Sequence, residues 1–192
     1  SGEISDDIFG VEDGAFIAEL DREVGRKKTF ETIKNVFTLG TRYLSKHGFT
    51  ISIADLKTNE KVDSSTKRII SEAEEKTREI ADSYKKGTLE IIPGKTKEES
   101  REIKIIQTLN EVRTKIGSIV AKEFPKNNPV STMITSGAGG NMLNITQMAC
   151  CIGQQSLWGK RIGIGYTNRT LSFFKENDLS PESRGFIKNS FM

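Results

Sequence analysis

The chain has 192 residues, of which 35% are hydrophobic and 29% are charged. This length allows one sizeable core or two small ones, but the hydrophobic share is lean for one compact domain and favours helical hairpins that project into solvent. The formal net charge is +3, from 29 basic and 26 acidic residues, so total charge gives no argument for nucleic-acid binding. The basic excess lies in residues 126–192, which carry 7 basic and 3 acidic side chains.

The cysteines and the hydropathy favour a protein of a reducing compartment. Cys150 and Cys151 are adjacent, a spacing that suits neither a zinc site nor a structural disulfide. No apolar run approaches the ~20 residues of a membrane-spanning helix, and no signal peptide opens the chain. We therefore expect a soluble, cytoplasmic protein with two core thiols.

Residues 1–59 are predicted to form a small packed unit. Apolar side chains recur on one face of a helix around Thr29–His47, and Gly48 marks its end. Residues 49–53 alternate apolar and polar side chains, which predicts a short strand. His47 is the only histidine and is expected to interact with the helix C-terminus rather than to catalyse. The acidic pairs are expected to cap or to be solvated rather than to bind magnesium; they are Asp6-Asp7 and Glu12-Asp13.

Residues 60–125 are predicted to form a long antiparallel helical hairpin. Helical spacing runs from Asp63 to Lys86, and a capping-box sequence at Thr96 opens a second helix that Pro125 ends. The connection contains the turn sequence Pro93-Gly94. The nearly equal numbers of acidic and basic residues favour a solvated hairpin over a nucleic-acid face, and its projecting tip is a candidate docking point for another protein.

Residues 126–192 combine a glycine-rich loop, an uncharged helix and, after the helix, the basic residues Lys160 and Arg161. A helix is predicted from the spacing of Met142, Ile145, Met148, Ala149 and Ile152, with amide side chains on the opposite side. A glycine loop before a helix can bind phosphate, but both the P-loop spacing and the dinucleotide fingerprint are missing from the sequence. The alternative is tight packing of the loop against a neighbouring chain. A further helix start is predicted at residues 178–182.

Five stretches resemble one protein family in its own order along the chain. They read GAFIAELDREVG, TRYLSKHGFTISIADL, YKKGTLEIIPGKTKEES, STMITSGAGGNMLNITQMACCIGQQSLWGKR and TLSFFKENDLSPESRGFIKNSFM. Together they resemble the largest subunit of multisubunit DNA-dependent RNA polymerases, closest to the archaeal A′ subunit. The resemblance implies a mainly α fold with few short strands. Its parts are a pore-like unit at 1–59, the funnel helical hairpin at 60–125, and a glycine-loop and helix unit at 126–192 that precedes the bridge helix.

The resemblance implies a part of the polymerase that lines the secondary channel, through which nucleotides enter. It also implies support of the bridge helix and docking of a transcript-cleavage factor. The family's Asn-Ala-Asp-Phe-Asp-Gly-Asp metal motif is missing from the sequence, so the chain by itself is expected to be inactive, without catalytic residues or metal ligands. Mg²⁺ is expected elsewhere in the complete polymerase. The implied partners are the other polymerase subunits, the cleavage factor, the DNA template and nucleotides, with no membrane.

The resemblance also implies three groups of site residues. The residues implied to contact the bridge helix and the channel are Asn144, Gln147, Gln154, Gln155, Ser156, Lys160, Arg161 and Arg169. The glycine loop near the nucleotide path comprises Gly137, Gly139, Gly140 and Asn141, and relatives usually carry Lys or Arg at the position of Gly139. The chain differs from its relatives a second time at Ser172 and Phe173, where relatives commonly have Pro-His. The residues implied to dock the cleavage factor are Lys95, Lys97 and Arg101.

Two other function classes stay open from the residues. A free-standing helical nucleic-acid-binding module would bind in a salt-dependent way. A small phosphate-handling enzyme using the loop at 136–141 would bind nucleotides without partners. Without the family, Gln154 and Gln155 would equally fit a solvated helix face.

Overall fold

The computed structural model describes residues 15–163 and 165–192, and it confirms a mainly α fold with a few short strands. The acidic pairs at 6–7 and 12–13 lie outside the described residues. The helices are α1 Ala15–Val24, α2 Arg26–His47, α3 Glu60–Lys86, α4 Lys97–Glu123, α5 Pro129–Thr135 and α6 Met142–Ala149, and short 3₁₀ turns span Ile53–Leu56 and Glu182–Arg184. The strands are β1 Gly153–Gln154, β2 Ser156–Leu157, β3 Lys160–Arg161 and β4 Phe186–Ile187.

The contacts group the described residues into two units. The first comprises residues 15–56 and Pro125–Asn141, and the second comprises Lys57–Phe124 and Met142–Met192. The sequence predicts three parts, and this division stays a prediction; Asn141, where the first unit ends, lies within the third part, residues 126–192. The glycine loop and the helix that follows it therefore belong to different units.

The first unit contains α1, α2, α5 and the first 3₁₀ turn. The predicted helix is confirmed as α2, which begins three residues early and ends where the Gly48 N–H donates to the Leu44 carbonyl at 2.7 Å. The predicted strand at 49–53 is wrong. The Asp55 carboxylate accepts hydrogen bonds from the N–H and the hydroxyl of Ser52, at 2.7 and 2.9 Å, and so starts the 3₁₀ turn there.

The second unit is built on the predicted hairpin of α3 and α4, each of 27 residues and therefore about 40 Å long. The Thr96 hydroxyl accepts from the Glu99 N–H and the Glu99 carboxylate accepts from the Thr96 N–H, so the capping box is confirmed. Lys61 at the start of α3 pairs with Glu123 at the end of α4 at 2.5 Å, which shows that the two helices are antiparallel. The buried apolar side chains of the two helices are Val62, Ile69, Ile70, Ala73, Ile105, Leu109, Val112, Ile116 and Val120.

The segment after α6 folds onto α4 with two pairs of short strands. β1 pairs with β4 and β2 pairs with β3, both antiparallel. The turn between β2 and β3 is Trp158-Gly159, with φ of 50° and 74°. The predicted helix ends at Ala149, so Ile152, Gln154 and Gln155 lie outside it. The predicted helix start at 178–182 leads only to the 3₁₀ turn at Glu182–Arg184.

Candidate functional site

The start of α4 brings together residues from two of the predicted site groups. Arg101 is 8% exposed, and its guanidinium lies 4.3 Å from the centre of the Tyr84 ring. Its Nη2 and Nε donate to Oε1 of Glu102 at 2.9 and 3.1 Å. Lys95 and Lys97 are exposed. Two of the three predicted docking residues are therefore available at the surface, while Arg101 is engaged within the chain, and docking stays a prediction.

Arg161 of β3 reaches the same carboxylate from 59 residues further along the chain. Its Nη1 donates to Oε2 of Glu102 at 3.4 Å and its Nη2 donates to the Ser180 carbonyl at 3.2 Å. The side chain is 1% exposed, and its Nε finds no hydrogen-bond partner among the described residues. Glu102 thus uses one oxygen for each arginine, and we call Arg101, Glu102 and Arg161 the Glu102 bridge.

Burial lowers the pKa of Arg161 to about 10, because removal from water disfavours the charged guanidinium. The negative charge of Glu102 opposes this shift, whereas the positive charges of Arg184 and Arg101 add to it. The guanidinium still carries its charge at neutral pH. Glu102 therefore pairs with two members of a cluster of three arginines.

Lys160, the neighbour of Arg161, is exposed and lies within electrostatic reach of the first turn of α4. The Thr96 N–H donates to the Glu99 carboxylate at 2.9 Å and is the main reason that the pKa of Glu99 is lowered. The charges of Lys95 and Lys160 lower it further. The predicted docking group and the predicted channel group thus meet at this end of α4.

The two glutamines of the predicted channel group stabilise the loop around β1. Gln154 is 3% exposed, and its Nε2 donates to the carbonyls of Gln155 and Arg184 at 2.6 and 2.9 Å. Gln155 is half-buried, and its Nε2 lies 3.4 Å from the carbonyls of Ile152 and Gly153. The interpretation of both glutamines as one solvated helix face is wrong, because α6 ends before them.

The other members of this group are spread over the second unit. Asn144 is exposed on α6 and Ser156 is exposed on β2. The side chain of Gln147 donates to the Ile152 carbonyl at 3.3 Å. Arg169 donates from Nη1 to the carbonyls of Ser172 and Phe174, at 3.2 and 3.4 Å, and holds the loop around them. Contact of these side chains with a bridge helix stays a prediction.

The glycine loop closes the C-terminal end of α5. The N–H groups of Ser136 and Gly137 donate to the carbonyls of Thr132 and Ile134, and those of Ala138 and Gly139 both donate to the carbonyl of Met133. These four amides are therefore used within the first unit and are not directed at an anion. The position of the loop relative to the nucleotide path stays a prediction.

The two cysteines differ in their surroundings. Cys151 is buried, donates from Sγ to the Ile187 carbonyl at 3.3 Å, and has its pKa raised to about 11 by burial. Cys150 is half-buried beside a cavity of about 700 Å³ between α3 and the end of the chain, and burial raises its pKa too. Both thiols are free. The sequence predicts two core thiols, and this is confirmed for Cys151 but not for Cys150, which is only half-buried.

Two findings concern metals and membranes. Within residues 15–163 and 165–192, no three histidine, cysteine or carboxylate side chains form a group that could hold a metal ion. None of the helices in the described part of the chain is both long and apolar enough to cross a bilayer.

Sequence comparison with known proteins identifies a family. The family model described as RNA polymerase Rpb1, domain 4, matches residues 80–187. This stretch covers more than half of the chain, including the Glu102 bridge. The chain therefore belongs to this family of RNA polymerase largest subunits, and the resemblance that the sequence indicates is confirmed.

Individual relatives are archaeal proteins named DNA-directed RNA polymerase subunit Rpo1N. The chain is 38% identical over 190 residues to the one from Halococcus morrhuae, covering 99% of this chain and 54% of the relative. It is 37% identical to that of Methanocaldococcus jannaschii, covering 99% and 14%. It is 42% identical over 171 residues to that of Sulfolobus acidocaldarius, covering 89% and 19%. The chain thus spans from about one seventh to about half of the length of these relatives.

Proposed function

We propose that this chain is the pore and funnel region of a DNA-directed RNA polymerase largest subunit. In this role it lines the path by which nucleotides enter, supports the bridge helix and docks a transcript-cleavage factor. The observation that carries the proposal is the hairpin itself. Its tip presents Lys95 and Lys97 to solvent, and the β2–β3 strands, with the exposed Ser156 and Lys160, are joined to the same end of α4 by the contact of Arg161 with Glu102.

In this role the chain supports the active centre and does not itself carry out the chemistry. Nucleotidyl transfer needs metal ions that clamp the phosphates, and the side chains described here do not fit a metal site. We propose that Mg²⁺ binds elsewhere in the complete polymerase. The chain then contributes positioned surfaces, and its partners are the other polymerase subunits, the cleavage factor, the template and the nucleotides.

The proposed docking of the cleavage factor is tested in assembled polymerase by reversing the tip charges with Lys95→Glu and Lys97→Glu. Charges at the rim of an interface mainly change association, so we expect stimulation by the cleavage factor to fall roughly tenfold while basal elongation is unchanged. The matched control reverses Lys115 and Lys122 of the same helix, outside the tip, and should leave both activities intact. An equal loss of stimulation and elongation in the tip variant would count against the docking role.

A further inference from the structure

The β2–β3 hairpin has little of its own to hold it in place. Each strand has two residues, and the exposed residues are Ser156, Leu157, Trp158, Gly159 and Lys160. An isolated two-stranded hairpin is marginally stable in water. Its orientation therefore depends on contacts at its ends, where Arg161 is buried and the Gln155 N–H donates to the Gly185 carbonyl at 2.8 Å.

Arg161 is the buried side chain that joins β3 to α4. Its two terminal nitrogens are divided between the Glu102 carboxylate and the Ser180 carbonyl. A buried guanidinium that loses its carboxylate is left with an uncompensated charge. Because Arg184 and Arg101 also repel it, the position of Arg161 depends on Glu102 more strongly than a single ion pair would imply.

Glu102 also connects to α3 at the same end of the hairpin. Its Oε1 accepts from Arg101, whose guanidinium stacks on Tyr84, three residues before Gly87, the residue that caps α3. One carboxylate therefore joins the end of α3 to strand β3, both close to the tip of the hairpin. Its oxygens are used separately, so a change that spares one contact can still break the other.

We propose that Glu102 is a positioning residue that, through Arg161, fixes the β2–β3 hairpin and with it the exposed Ser156 and Lys160. The consequence for polymerase activity rests on the proposed function, in which those residues face the bridge helix. The positioning itself is a property of this chain and is measured without the other subunits.

The chain contains its own probe, because its only tryptophan is Trp158 in the turn between β2 and β3, 92% exposed. In Glu102→Gln we expect lower fluorescence anisotropy of Trp158, from faster local motion, and amide exchange in residues 155–161 that is at least about tenfold faster. The helix content by circular dichroism should stay unchanged. The matched control is Glu111→Gln, which removes a carboxylate of the same helix that pairs with Lys115 at the surface and should leave both readings at wild-type values.

Two further variants separate positioning from general loss of structure. Arg161→Lys keeps the charge but has one nitrogen for two acceptors, so its exchange rates should lie between those of the wild type and Glu102→Gln. Adding Arg161→Met to Glu102→Gln removes the uncompensated charge and should cause no further increase in exchange, because neighbours that act together are not additive. Unchanged anisotropy and exchange in both Glu102→Gln and Arg161→Lys would overturn the proposal.

The same Glu102→Gln change in assembled polymerase distinguishes this inference from the proposed function. Faster exchange in the chain together with slower elongation supports both. Faster exchange with elongation at the wild-type rate supports the positioning role and contradicts the idea that this strip faces the bridge helix. Slower elongation without faster exchange overturns the positioning role.

Discussion

The helical hairpin and the segment that follows α6 belong to the same unit but are stabilised in different ways. α3 and α4 bury a continuous row of apolar side chains, including Ile105, Leu109 and Ile116, which are all 0% exposed. The later segment has two-residue strands and relies on buried polar side chains such as Gln154 and Arg161. Apolar burial is distributed over many contacts, whereas a buried polar group depends on a few partners. The hairpin is thus a rigid support, and the segment on it is positioned by single interactions.

The largest effect is expected from the core of the hairpin. Leu109→Ala should lower the free energy of unfolding by about 3 kcal/mol, because it removes buried apolar atoms and leaves a cavity. Urea denaturation of the chain measures this loss. Leu157→Ala is the matched control, since Leu157 is 54% exposed, and it should change the stability by less than about 0.5 kcal/mol. Similar losses at the two positions would contradict the distinction between the two regions.

The next effect probes the close packing of the later segment. Gly185 has φ of 91°, and a Cβ there would lie 2.5 Å from Cγ1 of Ile162. Gly185→Ala should therefore cost about 2–3 kcal/mol, from the backbone conformation and the clash together. Gly159→Ala, with φ of 74° and open space around it, should cost about 1 kcal/mol from the backbone alone. Thermal unfolding compares the two, and equal costs would mean that this segment is loosely packed.

A smaller effect is expected at the start of α4. Thr96→Ala removes the hydroxyl that accepts from the Glu99 N–H at 3.1 Å and should cost about 1 kcal/mol of the free energy of unfolding. The control Thr114→Ala removes an exposed hydroxyl from the middle of the same helix and should change stability by less than about 0.5 kcal/mol. Loss of stability at Thr114 but not at Thr96 would contradict the capping role.

The smallest effect is expected on the stability of the fold in acid. The pKa of Glu99 is lowered below its ordinary value of 4.5, first by the hydrogen bond from the Thr96 N–H. The stabilisation is therefore complete above pH 4.5 and is lost as the pH falls through the lowered pKa. Unfolding followed across this range should show a shallower loss of stability in Glu99→Gln than in the wild type. Identical acid profiles would show that Glu99 contributes nothing to the pH dependence.

The sequence predicted the hairpin well because several local signals agree there. The capping box at Thr96, the left-handed cap at Gly87 and a long apolar stripe all indicate the same helices. The strand at 49–53 was predicted from alternation alone, and the local hydrogen bonds of Asp55 with Ser52 favour a 3₁₀ turn instead. Local signals suffice where the structure is itself local.

The site could be predicted only in part, because its key contacts are distant in sequence. From the sequence, Lys160 and Arg161 look like a basic segment after the helix. In the structure, Arg161 is buried and pairs with a carboxylate 59 residues away. Glu102 carried no signal of its own, since it is one of many charged residues on a helix predicted to be solvated. The turn at Trp158-Gly159 was hidden as well, because a positive φ is uncommon at a tryptophan.

The central proposal is that the β2–β3 hairpin of this chain supports the bridge helix of a polymerase. A photo-crosslinking residue placed at the exposed Ser156 in assembled, elongating polymerase tests it most directly. The account predicts crosslinks to the bridge helix of the largest subunit. Efficient crosslinks only to sites outside the active centre, with none to the bridge helix, would contradict it.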